Sequence, residues 1–264
     1  MQPKPDYLGP EYGTAFQDSS VAKAYQYRPP FASATFDVLT DLVVDTPRHV
    51  LDAGCGTGAL ARYLVERVDR VDAVDISQEM IGQGKSLPQG QNPRLNWIVG
   101  HIEDAPLQPP YALITAGRSL HWMDWYVVLP RFARMLTPNG YLAIVYVKQL
   151  PTPWNQELTA IRRRYTTTPD RQSHHQIATD VAERGLFKSA GTARTAPVTL
   201  SQTLDDYIES FHSQSSFSRG RMTPENAAAF DQELRALVAP LCTDTVEQQV
   251  VTEIVWGKPL QPNF

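Results

Sequence analysis

The rhythm of apolar positions changes at residue 49. Before it, "AFQDSSVAKAYQY" and "FASATFDVLTDLVV" carry hydrophobic residues at helical spacing, and the prolines of "RPP" interrupt the pattern between them. After it, short apolar runs alternate with amphipathic stretches. "HVLDAG" reads as a buried strand and "GALARYLVERV" as a helix with Leu60, Tyr63, Leu64 and Val68 on its apolar face. "VDAVDI" is the next strand, and Ser77 is placed to cap the helix "QEMIGQGKSL". Strand "LNWIVG", loop "HIEDAPLQPP" and strand "YALITAG" follow, then a helical stretch ending "RFARML" whose start Pro130 obscures, the turn "TPNG" and strand "YLAIVYV". Five strands alternating with helices predict a parallel, doubly wound α/β sheet.

Beyond residue 150 the alternation loosens. "WNQELTAIRRRY" and "HHQIATDVAERG" read as helices and "GTARTAPVTL" as a strand. "LDDYIESFH" starts with a capping box at Thr203 and Asp206, and "TPENAAAFDQELRALVAP" has Thr223 as N-cap with Pro224 at the first helical position. "VEQQVVTEIVWG" alternates by twos and closes the sheet. The pattern predicts one domain over residues 1–264, with a helical cap at 15–44 and a ligand-binding core at 48–150. The rest of the sheet falls at 151–200 and 241–264, and a helical lid is inserted at 201–240.

Composition narrows the function. A chain of 264 residues with 42% hydrophobic content can bury a core, and a net charge of −4 argues against a nucleic-acid binder relying on bulk positive charge. A local basic groove stays compatible with that balance. Cys55 and Cys242 make neither a disulfide framework nor a cysteine metal site, and no histidine spacing adds one. His174 and His175 are adjacent and face different ways on a helix, and "RRR" at 162–164 reads as a solvated helix face. The start of the chain lacks a signal-peptide pattern and no run approaches a membrane span, so the expected location is the cytoplasm.

The chemistry lies in "HVLDAGCGTGAL". A strand, a loop with Gly54, Gly56 and Gly58, and a helix start form a site for a nucleotide-like ligand, since the loop clears side chains where backbone must approach. Asp75, at the end of the second strand, has the spacing at which an acid accepts from ribose hydroxyls. Asp52 stands two positions before the first glycine, where a carboxylate would repel a pyrophosphate and suit the ammonium and sulfonium of S-adenosylmethionine (SAM). Gly54-x-Gly56-x-x-Ala59 also satisfies the dinucleotide fingerprint, so an NAD(P)-dependent oxidoreductase is the enzyme alternative. A Tyr-x-x-x-Lys dehydrogenase pair is not evident.

With "LDAGCGTG", "AVDIS" and "RFARMLTPNGYLAI" in place, the chain resembles the class I SAM-dependent methyltransferases, in particular the small-molecule group that includes the ubiquinone-biosynthesis type (the methyltransferase type 11 group). The resemblance covers residues 20–150 well and the remainder in outline. It implies a Rossmann-like, seven-stranded sheet, mostly parallel with an antiparallel last strand, using SAM and releasing S-adenosylhomocysteine (SAH). In "GHIEDAP" it implies adenine recognition, with His101 standing where the family has an acid, Ile102 on the adenine face and Glu103 in the same loop. "AYQYRPPF" resembles the segment covering the methionine end of the cofactor. There Arg28 would fork onto the carboxylate, with Tyr27 or Tyr25 near the sulfonium. Ile76, beside Asp75, and Cys55, within the glycine loop, complete the implied cofactor set.

"GRSLHWMDWY" follows the fourth strand, at the sheet edge where ligands bind. Ser119, Leu120, His121 and Trp122 would line the passage from cofactor to acceptor, with His121 the candidate general base. Phe211, His212 and Phe217 would close it from the lid, with Arg219 or Arg221 nearby, and Trp125 and Tyr146 would add aromatic surface. The expected acceptor is a small molecule, handled by a monomer or homodimer without nucleic acid, membrane or metal. A SAM-binding protein without catalysis is the non-enzymatic alternative.

Overall fold

The computed structural model describes residues 14–168, 177–242 and 244–261. Its centre is a run of mutually parallel strands: β1 (His49–Ala53), β2 (Arg70–Asp75), β3 (Leu95–Val99), β4 (Tyr111–Gly117) and β5 (Leu136–Gln149). On β5 lies β8 (Val246–Pro259), antiparallel to it. The far edge of β8 pairs with β6 (Phe187–Arg194) and then, further along, with β7 (Val198–Gln202). The order is β3-β2-β1-β4-β5-β8-β6, with β7 also on β8.

The chain therefore forms the expected mostly parallel sheet with an antiparallel last strand. Seven strand positions hold eight strands, because the outermost position is filled by two. Pro197 lies in the gap between them, and a residue without an N–H interrupts a ladder there. β5 also begins earlier than expected: "TPNG" is its first part rather than a separate turn.

Helices α1 (Ser19–Ala24), α2 (Ala34–Asp41), α3 (Ala61–Leu64), α4 (Gln78–Ser86) and α5 (Trp125–Met135) surround the parallel strands. β4 is buried from Tyr111 through Ala116, as a strand covered on both faces must be. One core gathers Trp125, Val128 and Phe132 of α5 against Leu51, Ile114 and Ile144. The other gathers Phe36 and Leu39 of α2 with Leu60, Leu64 and Val68 against Val50, Val71 and Leu113. Tyr63, expected on that inner face, is 47% exposed. The helix there is only four residues long, and the turns after it rotate the pattern.

Helices α6 (Asn155–Tyr165) and α7 (Ile177–Glu183) follow β5, while α8 (Leu204–His212) and α9 (Pro224–Val238) lie between β7 and β8. α6, α8 and α9 share a separate core of Trp154, Leu158, Tyr207, Phe211, Phe217, Phe230 and Leu234. The caps stand where the sequence puts them. Ser77, Thr203 and Thr223 each accept from a backbone N–H three residues on. His174 and His175 lie outside the described residues. Among the described residues no helix is long and apolar enough to cross a membrane.

Candidate functional site

The strand order reverses between β1 and β4, which opens a crevice at the carboxyl ends of these strands. The glycine loop occupies it. Gly56 and Gly58 have φ of 55° and 73°, a region that strains any side chain. At Gly58 a Cβ would also lie 2.5 Å from Trp97, and at Gly54 2.5 Å from the Cβ of Ser119. A Cβ on Gly56 would meet nothing closer than the Tyr25 hydroxyl, at 3.7 Å, so the open face of the loop is here. Ser119 fastens the loop from below, its hydroxyl donating to the Ala53 carbonyl at 2.5 Å.

Asp75 reaches back under the loop. Its Oδ2 accepts from Gly56 N at 2.7 Å and its Oδ1 from Ser77 N at 2.9 Å. Burial pushes its carboxyl above the usual range against the pull of these N–H donors. Each oxygen keeps a lone pair for a further donor. Ile76, beside it, is half-buried.

Asp52 requires a correction. Instead of guarding the mouth of the loop it lies underneath, 1% exposed. Its Oδ2 accepts from Ala61 N at 3.1 Å and its Oδ1 from the Thr115 hydroxyl at 2.9 Å. β1 is a central strand, and this position of its pleat faces the start of α3 rather than the crevice. Burial pushes the carboxyl up to about 7 despite both hydrogen bonds. Asp52 is a clasp for the loop, and its charge no longer separates SAM from a pyrophosphate cofactor. Cys55 is likewise buried, its thiol pushed upward by burial, and its N–H is bonded to the Val74 carbonyl.

The N-terminal cap covers the crevice. The Arg28 guanidinium lies 4.8 Å from the centre of the Tyr25 ring, and its Nε donates to Ser213 Oγ at 3.0 Å. Arg118, the first residue past β4, is a second cation on the same ring, 5.7 Å away, and lies 4.8 Å from that of Phe31. It holds a φ of 57°, rare for a residue with a side chain, and its buried Nε has no partner. Burial raises the Tyr25 phenol, but Arg118 and Arg28 outweigh it and bring the group below its ordinary value. Tyr27 contributes its carbonyl, which accepts from Gln202 Nε2 at 2.8 Å.

A cavity of ≈ 1110 Å³ opens beside the cap, bounded by Arg28, Arg118, the end of β5, α6 and the turn after α8. His121, 3% exposed, lines it with its ring 4.3 Å from that of Trp122, and Tyr146, Phe211 and Phe217 line it as well. Arg162 and Arg163 border the same space, so the first two arginines of "RRR" are exposed toward a cavity. Arg164 instead turns outward to Glu233, at 2.7 Å.

Further expectations meet different surroundings. Leu120 is 1% exposed in the sheet core and offers no side chain to the passage. Ile102 is 5% exposed in the same core rather than lying open for an adenine ring. Glu103 is committed to α5, its Oε1 accepting from Asp124 N at 3.0 Å, while His101 beside it is exposed. His212 is 2% exposed with both ring nitrogens engaged, Nδ1 with the Phe217 carbonyl at 2.7 Å and Nε2 with Asp231 Oδ1 at 2.6 Å. It pins the lid together instead of meeting an acceptor. Arg219 pairs with Glu209 and Asp231, and Arg221 Nε lies 3.4 Å from Thr167 Oγ1. Trp125 is a core residue.

Arg118, Arg162 and Arg163 were not singled out as site residues from sequence. The available signal was position: Arg118 directly follows a strand that ends at the ligand edge. Among the described residues no three His, Cys, Asp or Glu side chains gather as a metal site would require.

The family described as a methyltransferase domain matches residues 50–140. An uncharacterized methyltransferase of Mycobacterium tuberculosis is 31% identical over 145 residues, 54% of this chain and 57% of that protein. A trans-aconitate 2-methyltransferase of the same species is 26% identical over 132 residues, 49% of this chain and 48% of the relative. The chain thus spans about half the length of the curated relatives it matches. Among solved structures, a candidate type II methyltransferase from Anaeromyxobacter dehalogenans superposes with a TM-score of 0.59 at 23% identity, covering 89% of this chain and 99% of that one. The YcgJ protein of Bacillus subtilis superposes at 0.54 with 15% identity, covering 87% and 100%. These two likenesses concern the fold.

Proposed function

Because residues 50–140 match the methyltransferase domain family, we propose that the chain is a class I SAM-dependent methyltransferase that transfers a methyl group from SAM to a small-molecule acceptor held in the cavity beside Arg118 and His121. SAM would supply a methyl group on a sulfonium that departs as a neutral thioether. The residues present fit that cofactor. The open face at Gly56 leaves room for it, and Asp75 has lone pairs free for two ribose hydroxyls. Arg28 and Arg118 offer guanidiniums for the methionine carboxylate, the unpartnered Arg118 Nε among their donors. His101, on the exposed loop after β3, is the proposed adenine contact.

The observation that carries this reading is the placement of Asp75. A carboxylate at the end of β2 is tied to the one glycine of the loop whose outer face is open, on the same edge of the sheet as the cavity. What remains for the protein is alignment of the acceptor atom with the methyl–sulfur axis, a positioning task. His121 is the proposed base for an acceptor that arrives protonated. Calorimetry with SAH and NADH in parallel tests the cofactor. SAH should bind and NADH should not. The reverse would replace this reading with the oxidoreductase one, and SAH binding without methyl transfer to any acceptor would leave a binding protein.

A further inference from the structure

The chain as a whole is acidic, with a net charge of −4, yet the cavity beside the cap is not. Arg28, Arg118, Lys148, Arg162 and Arg163 all line it, and none of its described lining residues is Asp or Glu. Lys148 has a carboxylate within reach, Glu253 at 3.9 Å. The four arginines form no ion pair with any described carboxylate, in contrast to Arg164, Arg219 and Arg235, which all do. Guanidiniums crowded into one concavity repel one another and raise its potential, which draws in anions.

The four are divided between two ends. Arg28 and Arg118 share the Tyr25 ring next to the glycine loop and are the pair proposed above for the cofactor carboxylate. Arg162 and Arg163 come from the last turn of α6, with the Arg162 guanidinium 5.8 Å from the centre of the Phe217 ring on the lid side. The same cavity wall also holds buried hydroxyls. Thr168 is 3% exposed and its Oγ1 is buried without a partner, as is Oγ1 of Thr152. Buried polar atoms without partners are rare and cost free energy, so a cavity wall that holds two of them together with two guanidiniums unpaired with any described carboxylate is built for a polar occupant.

We propose that the methyl acceptor is a small organic anion whose carboxylate or phosphate is held by Arg162 and Arg163, with the Thr168 hydroxyl as a further contact, away from the atom that receives the methyl. This rests on the methyltransferase reading for the word acceptor, while the anion site itself stands on the charges and hydroxyls of the cavity. The distal arginines act as a selector: a neutral molecule of the same shape leaves them unpaired, and a cation is repelled.

The test uses the 264-residue chain saturated with SAH and three probes. These are tricarballylate, glycerol 3-phosphate and the uncharged propane-1,2,3-tricarboxamide, titrated by calorimetry. At least one of the anions should bind at least about tenfold more tightly than the triamide, and whichever binds assigns carboxylate or phosphate. Its affinity should fall at least about tenfold in Arg162→Gln/Arg163→Gln, recover partly in Arg162→Lys/Arg163→Lys, and stay unchanged in Arg164→Gln, which alters the neighbouring arginine outside the cavity. SAH affinity should be equal in all these proteins. If SAH binds while neither anion does, or the triamide binds as well as the anions, or the double glutamine variant keeps full affinity, the anion site is refuted and the methyltransferase reading stands. Failure of SAH to bind would refute the latter instead.

Discussion

At the scale of single residues, two aspartates on neighbouring strands have opposite assignments, and both can be tested. Asp75 holds Gly56 N and has lone pairs to spare, so removing its carboxylate should strip the cofactor site of its ribose acceptors. Hydrogen bonds to charged groups contribute about 1.5–3 kcal/mol each. Asp75→Ala should therefore weaken SAH binding at least about tenfold by calorimetry, while circular dichroism stays that of the folded protein. Unchanged affinity would mean that the carboxylate serves only the loop. Asp52 should act on stability. Its folded-state carboxyl lies at about 7 against an ordinary 3.8. The folded site prefers the neutral acid, so the contribution of this group is full below about pH 4 and is lost as pH rises through 7. The loss has an upper limit of about 1.4 kcal/mol per pH unit within that window. Asp52→Asn keeps an acceptor for Ala61 N and cannot ionise, so its melting temperature should exceed that of the parent by more at pH 8 than at pH 4. A constant difference would show that Asp52 is not the group responsible. The sequence located both acids but misread one. Distance from a glycine is legible in a sequence, whereas the face of a central strand to which a side chain points depends on what packs above it. For Ile102 and Leu120, in the loops after β3 and β4, and for His212, at the end of α8, the packing that buries them was equally absent from the local sequence.

At the scale of elements, the alternation of apolar runs and amphipathic stretches was enough to predict the parallel strands, and the caps at Ser77, Thr203 and Thr223 came from residue type alone. What could not be read was the division of the edge position between β6 and β7, because a strand that pairs with one neighbour carries a weak pattern and Pro197 disguises its continuity. The glycine loop shows how an element combines both kinds of information. Its glycines are interchangeable in the sequence and distinct in the structure. Gly58→Ala puts a methyl group 2.5 Å from Trp97 at a positive φ, whereas Gly56→Ala meets only the φ penalty of about 1–2 kcal/mol. Gly58→Ala should therefore lower the thermal midpoint several degrees more than Gly56→Ala. Gly56→Ala should lose more cofactor affinity relative to its stability cost, because its face is the open one. Equal midpoints for the two variants would argue that Trp97 yields freely and that packing does not close the loop at Gly58.

At the scale of the whole molecule, the cap connects parts that the sequence presents as separate. α1 packs Val21 and Ala22 on Met80 of α4, Arg28 donates to Ser213 after α8, Gln202 of β7 donates to the Tyr27 carbonyl, and Ala32 N donates to Thr252 of β8. No local pattern announces these bonds, since each joins residues far apart in the chain. The charge of the cavity was hidden for the same reason: its arginines come from the cap, the end of β4 and α6, and meet only once the sheet has formed. The consequence is mechanical. With Tyr25 over Gly56 and Arg28 tied to the lid, a ligand cannot settle on the glycine loop without also loading the segment that holds α8. Amide hydrogen exchange reads such coupling, because segments that open locally exchange faster than the core. SAH should slow exchange in residues 19–28 and, through Arg28 and Ser213, in residues 204–217, while β8, already paired with strands on both sides, stays unchanged. Replacing Arg28 with Met should confine the slowing to the glycine loop and the cap. If residues 204–217 are slowed equally in that variant, the lid responds to the cofactor by another route and the cap is only a cover.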